Sequence, residues 1–256
     1  MSSPPAAGRR AVPDWLSRRR LLERDAIALV SGDGVWTWHA LDRRVGAAAA
    51  ALARIGVQPG ARVALLAGNS ADFVVVVHAI MRLGAVLVPL NTRLTAAELS
   101  WQIEDAGVAL ALHDAERTEL ALTAAGAVPC REVGTLLWDD DGDRLAAAET
   151  IDLDALQAIV YTSGTSGRPK GALLPASAWQ HGACASALHL GHSLTDRWLA
   201  ALPLFHVGGL AILFRSVIGG VPIVVHERFD PERMRAAFAD DAITLVSLVP
   251  AMLPPL

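Results

Sequence analysis

The chain has 256 residues, 53% of them hydrophobic and 19% charged, with a formal charge of −4 and a pI near 6.0. That length buries a sizeable core in one large domain or two subdomains, and the charge balance supplies no field for nucleic acid or an anionic membrane. The two cysteines, Cys130 and Cys184, exclude a disulfide framework and paired zinc spacing, and point to a reducing, cytoplasmic setting.

Residues 1–13, with Pro4, Pro5, Gly8 and Pro13, read as a loose lead-in. The arginine clusters at 9–10 and 18–20 are not followed by an apolar stretch, because Glu23, Arg24 and Asp25 arrive at once, so no export signal is expected. A first α/β subdomain is expected over 14–136. Within it, VWTWHALDRRVGAAAAALARIGV starts as a short strand and becomes a helix, with Thr37 as its N-cap and Gly56 just past its end. ARVALLAG then reads as a buried strand, SADFVVVVHAIMRLG as a helix, and AVLVPLN and VALALHD as further strands. FVVVVHAIM, from Phe73, is far too short to span a bilayer. Continuous apolar strands alternating with helices predict a mostly parallel sheet covered on both faces.

LWDDDGDRLAAAETIDL, residues 137–153, is expected to be an acidic surface loop that divides the chain. Its consecutive aspartates lack the alternating spacing of a calcium loop. A second α/β subdomain over 154–256 then repeats the pattern. LQAIVYTSG is its first strand, a helix runs through Ala178–Leu188, and WLAALPL is a strand followed by the helix GLAILFRSVIGG. VPIVVHE and ITLVSLV are strands on either side of the helix DPERMRAAFADD. The closing PAMLPPL begins a helix with apolar residues still unpaired, so the sequence reads as the front portion of a longer protein.

Residues 161–171, YTSGTSGRPKG, hold the single tyrosine and the single lysine, whereas the other 21 cations are arginine. A strand feeding a small-residue loop turns backbone N–H groups toward an anion. Gly164, Gly167 and Gly171 allow close approach, Thr162, Ser163, Thr165 and Ser166 add hydroxyl donors, and Lys170 adds a mobile charge. Together they predict a phosphate cradle. It is not a Walker loop, because Lys170 lies between Pro169 and Gly171 and is expected on a loop, not at the start of a helix.

YTSGTSGRPKG resembles the phosphate-binding signature of the adenylate-forming acyl-CoA synthetases, luciferases and peptide-synthetase adenylation domains, with Ser166 where Thr is usual. GVQPGARVALLAGNS, MRLGAVLVPLNTRLTAAEL and LPLFHVGGL are also similar to their counterparts in that family. The resemblance implies a fold of two similar mostly parallel sheet subdomains with helices on both faces. It also implies that Thr162, Ser163, Gly164, Thr165, Ser166, Gly167 and Lys170 hold the β- and γ-phosphates of ATP with Mg²⁺. A carboxylate would attack the α-phosphate to give an acyl-adenylate, and coenzyme A would then accept the acyl group.

In LPLFHVGGL, His206 is expected to end a strand, and the pair Gly208–Gly209 lets backbone approach a ligand; the family's matching position lines the acyl pocket beside the reacting carboxylate. Lys170 and His206 are thus the expected catalytic residues. FHVGGLAILFRSVIGGVPIVVHERFD and ASAWQHGACASALHLGHSLTDRWLAALPLFH resemble the 2-succinylbenzoate–CoA ligase branch, whose menaquinone-pathway substrate is an aromatic diacid. A second carboxylate then needs a partner, and Arg215, on the apolar helix after His206, is either that partner or an exposed helix charge. His181, Cys184, His189 and His192 have no finger spacing and are read as helix packing, so no protein-held metal is expected. The partners expected are a small carboxylic acid, ATP and coenzyme A, without nucleic acid or a membrane span, and with a homo-oligomer left open. Two alternatives stand: another acyl- or aryl-CoA synthetase, or a non-catalytic amino-terminal portion that at most binds nucleotide. The family's later motifs for Mg²⁺, ribose and the catalytic lysine lie beyond this sequence.

Overall fold

The computed structural model describes residues 10–136, 145, 150–162, 168–193 and 195–253. The strands are β1 (Ala11–Pro13), β2 (Ile27–Ser31), β3 (Gly34–Thr37), β4 (Arg62–Leu66), β5 (Val86–Pro89), β6 (Leu110–His113), β7 (Cys130–Glu132), β8 (Thr150–Asp152), β9 (Leu156–Thr162), β10 (Lys170–Pro175), β11 (Trp198–Ala200), β12 (Ile223–Val225) and β13 (Leu245–Val246). The helices are α1 (Trp15–Leu22), α2 (Trp38–Arg54), α3 (Ala71–Arg82), α4 (Ala96–Ala106), α5 (Thr118–Ala125), α6 (Ala176–Leu190), α7 (Val207–Gly219) and α8 (Pro231–Asp240).

Two sheets carry the fold. One has six strands in the order β10-β9-β5-β4-β6-β7, and the other has five in the order β13-β11-β12-β2-β3. Within them, pairings are parallel except at one edge of each sheet, where β10 and β3 run antiparallel to their neighbours. The expected α/β class with mostly parallel sheets is therefore the observed one.

Alternation along the strands builds the layers. Val63 and Leu65 of β4 face a core that also takes Leu29, Ile223 and Val225 from the second sheet, with α2, α3 and α7 packed between. Ala64 and Leu66, pointing the opposite way, pack with Leu99, Ile103 and Ala121 of α4 and α5. On the far face of the second sheet, Leu199 and Val224 meet Met234 and Ala237 of α8. The result is helix, sheet, helix, sheet, helix, with the central helices serving both sheets. Phe214 sits in that middle layer, stacked on Trp179 at 4.2 Å and edge-on to Trp15 and His78, each at 6.2 Å.

Local signals place several ends. The Thr37 side chain accepts from the Ala40 N–H at the start of α2, and Gly56 follows the helix at φ +95°. Thr95 and Glu98 close a capping box on α4, and Gly107 ends that helix in the left-handed region.

The structure departs from the sequence reading in several places. Ala11–Pro13 is no loose lead-in: it pairs antiparallel with Thr150–Asp152, which gives the end of the acidic segment a strand as well. The rest of that segment, apart from Leu145, lies outside the described residues. Each sheet also draws strands from both sides of the 137–153 segment, since β9 and β10 join the first sheet and β2 and β3 join the second. Lys170 opens β10 opposite Thr162 and is not a loop residue, because the register of the hairpin carries the ladder to that pair.

His78 of α3 is buried in the middle layer, and its Nε2 has no hydrogen-bond partner. Burial, helped by the Arg82 charge, lowers its pKa from 6.5 to about 4. The unfolded chain therefore takes up this proton first. The stability it protects is full above pH 6.5 and is lost as pH falls from there to about 4, a term of about 3 kcal/mol. Urea titrations should show that His78→Gln flattens this part of the stability–pH curve; an unchanged slope would place the acid sensitivity elsewhere.

Candidate functional site

Strand β9 is buried over Gln157–Val160 and surfaces at Tyr161 and Thr162. Its partner β10 returns antiparallel, with Lys170 opposite Thr162 and Gly171 opposite Tyr161. Thr162 and Lys170 thus form the two posts of the hairpin that carries the phosphate signature. Ser163, Gly164, Thr165, Ser166 and Gly167 lie outside the described residues. Both posts are exposed, and the Thr162 hydroxyl donates to the Lys170 carbonyl at 3.4 Å.

The stem below is held firmly. The Tyr161 hydroxyl donates to Asp105 Oδ2 at 2.6 Å, and its ring meets Trp101 edge-on at 5.9 Å, which pins β9 to α4. Burial first, and then the bond to Asp105, pushes the Tyr161 pKa up, so the hydroxyl stays a donor at neutral pH. A side chain at Gly171 would stand 2.8 Å from Ile159 Cγ2 and 3.4 Å from the Tyr161 ring. Glycine there serves strand closure against a packed aromatic, a role the sequence did not reveal.

His206 does not end a strand, because β11 stops at Ala200. It occupies the N-cap position of α7 after a turn in which its N–H donates to the Pro203 carbonyl at 3.1 Å. Its ring is exposed and tilted against Phe205 at 4.4 Å. Partial burial and then the positive charge of Arg93 hold its pKa below the usual imidazole range. Arg93 follows β5, the neighbour of β9, in a turn where its N–H donates to Asn91 Oδ1 at 2.9 Å. Sequence reasoning passed over Arg93, although its place after a parallel strand was a usable signal.

The glycine pair divides its work. Gly208 is exposed, and a side chain there would touch only Leu202 Cδ1 at 3.5 Å. Gly209 is buried, and a side chain there would overlap the Pro203 carbonyl and come within 3.0 Å of Leu204 Cα. Gly209 thus lets the chain's own backbone, not a ligand, approach α7.

Arg215 lies toward the other end of α7 from His206, nine residues on, which is about 13 Å along a helix axis. It lines a cavity of ≈ 330 Å³ between α6 and α7, together with Cys184, Leu190, His192 and Trp198. The guanidinium sits 5.3 Å from the centre of the Trp198 ring, its Nε is buried without a hydrogen-bond partner, and desolvation lowers its pKa. Among the described residues no carboxylate pairs with it. It is therefore neither an exposed helix charge nor a salt-bridged one. His181, Cys184, His189 and His192 are exposed, and no three metal-ligating side chains converge among the described residues.

A larger cleft of ≈ 610 Å³ opens at the ends of β2, β4, β6, β7 and β12. Asp33, Asp72, Asp114, Glu116, Glu132 and Glu227 line it against two arginines, Arg117 and Arg228. The Asp72 carboxyl is pushed up by burial and then by Asp33, the mark of acids without enough counter-charge. That acidic field repels a triphosphate, which disfavours the larger cleft as a nucleotide site. No helix among the described residues is long and apolar enough to cross a membrane.

The packing at the glycine pair gives a direct contrast. Gly209→Ala should cost about 1–3 kcal/mol, since backbone must move to admit the methyl group, whereas Gly208→Ala should be neutral or mildly stabilising. Denaturant unfolding of the two variants measures this difference, and equal effects would contradict the packing account.

The geometry has counterparts among known proteins. A 2-succinylbenzoate–CoA ligase from Bacillus licheniformis is 39% identical over 246 residues, which cover 94% of this chain and 50% of that protein. The o-succinylbenzoate coenzyme A synthetase (MenE) of Bacillus subtilis, solved with ATP and magnesium ion, superposes with a TM-score of 0.89 at 34% identity, over 95% of this chain and 65% of that one. The same enzyme in complex with its acyl-adenylate intermediate gives a TM-score of 0.90 at 35% identity, over 95% and 63%. The chain spans about half the length of the curated relatives it matches. The family model described as AMP-binding enzyme matches residues 18–256. By that match, over nearly its whole length, the chain belongs to the AMP-binding enzyme family.

Proposed function

We propose that this chain carries the nucleotide- and acid-binding face of an ATP-dependent acid–CoA ligase whose acid is an aromatic dicarboxylate, 2-succinylbenzoate. The observation that carries the reading is Arg215, a half-buried guanidinium that opens onto an apolar cavity and has no carboxylate partner among the described residues. A desolvated, unpaired cation of this kind is costly unless an anion completes it. A diacid can supply that anion with its second carboxylate. The relatives named for 2-succinylbenzoate support the same substrate.

The triphosphate then lies at the hairpin between Thr162 and Lys170. Lys170 balances charge on the β- and γ-phosphates as a mobile cation, while the 163–167 hydroxyls and N–H groups solvate the oxygens. Mg²⁺ arrives with the nucleotide, held chiefly by phosphate oxygens, and neutralises charge there. The reacting carboxylate oxygen attacks the α-phosphorus, and the bond to the β-phosphate bridging oxygen breaks, releasing pyrophosphate. The coenzyme A sulfur then bonds to the acyl carbon and AMP leaves with the electron pair. His206, held neutral at physiological pH, lines the acyl side and donates or accepts a hydrogen bond without adding charge beside Arg93. Dependence on ATP and coenzyme A, together with two free thiols, fits a cytoplasmic setting.

Calorimetric titration of ATP and of the acid tests both halves. Lys170→Ala should weaken ATP about tenfold or more and leave the acid little changed. Arg215→Gln should leave ATP unchanged and weaken the diacid by about tenfold or more, while a monocarboxylate analogue lacking the ring carboxylate binds both proteins alike. Undiminished diacid affinity in Arg215→Gln would overturn the dicarboxylate assignment.

A further inference from the structure

Asn69 is one of the few buried polar residues, and all its hydrogen-bonding reaches across to the other sheet. It follows β4, yet its side-chain Nδ2 donates to the Leu202 carbonyl at 2.9 Å and to the His226 carbonyl at 3.0 Å. Its Oδ1 accepts from the Leu204 N–H at 2.8 Å. One amide therefore uses both donor hydrogens and its acceptor on three backbone groups beyond the ends of β11 and β12. The three bonds are buried.

The segment so held is the one that ends in His206. Leu202 and Leu204 carry two of the three bonds, Pro203 accepts from the His206 N–H, and Gly209 packs against Pro203 and Leu204 from the α7 side. Asn69 grips the turn from the first sheet while the first turn of α7 closes it from the second. Neither aspartate nor glutamine reproduces this grip: a carboxylate would face two carbonyl oxygens, and the longer amide would not fit the same three partners.

We propose that Asn69 is a positioning residue for acid activation, fixing the Leu202–His206 turn so that His206 is presented to the acid while the first sheet carries the nucleotide. It touches neither substrate. This role rests on the reading of His206 as part of the acid pocket. The amide couples the two halves of the site mechanically, because the sheet that carries the phosphate hairpin is the one that holds the turn.

The test compares Asn69→Ala, Asn69→Asp and, as a control, His206→Ala by calorimetry with ATP and with 2-succinylbenzoate, and follows the His206 ring by NMR through a pH titration. The expected result for both Asn69 variants is acid affinity lowered about tenfold or more, ATP affinity within about twofold, and a His206 titration midpoint displaced toward that of a free imidazole. Equal losses for ATP and acid, or an unmoved His206 titration, would overturn the proposal. If His206→Ala leaves acid affinity intact, the pocket reading fails, and the positioning claim is then judged by the His206 titration alone. Should the variants not fold, hydrogen exchange in the unmutated protein decides: the Leu204 amide must be as protected as the core of β11, and rapid exchange would overturn the proposal.

Discussion

A parallel strand buried on both faces can carry polar chemistry only at its ends. Both main sheets here are under that constraint, because α2, α3 and α7 fill the space between them while α4, α5 and α8 cover their outer faces. Polar function is driven to the loops that leave the carboxyl ends of the strands. The Asn69 bridge brings the loops after β4, β11 and β12 together at one such end. The hairpin after β9 and the turn after β5 leave the first sheet in the same direction, since β9, β5 and β4 are parallel.

Charge then sorts these loops. Lys170 opens β10 beside β9 and Arg93 follows β5, whereas six carboxylates line the cleft at the β4–β6 end. Volume alone would favour the acidic cleft as the substrate site. The like charges of that cleft oppose a polyphosphate. At the remote end of α7, Arg215 meets an aromatic ring in a largely apolar cavity that Arg19 also lines.

Much of this was legible in the sequence, and the parts that were not have physical reasons. Apolar runs such as VALLA and VVVVHAI announced their strand and helix because burial demands continuous or periodic hydrophobicity. Thr37 and Gly56 announced helix ends because capping is local chemistry. Strand partnership is not local, so nothing in 27–37 signalled that β2 and β3 belong to the sheet built from 198–246. Lys170 looked like a loop residue because Pro169 and Gly171 flank it, but the hairpin register extends the ladder to it. Arg215 stood out in the sequence as a cation on an apolar helix, and only the fold shows that it lines a cavity with no carboxylate paired to it among the described residues. Asn69 stayed invisible since its worth lies in three backbone groups more than a hundred residues away.

The central claim is that the 162–170 hairpin end takes the nucleotide and Arg215 takes the free carboxylate of the acid. A crystal structure with a non-hydrolysable acyl-adenylate analogue of 2-succinylbenzoate tests it most directly. The account requires the adenylate phosphate on the hairpin side of the acyl group and the free ring carboxylate paired with the Arg215 guanidinium. An analogue bound in the acidic cleft beside Asp114, or one that leaves Arg215 unpaired, would contradict it.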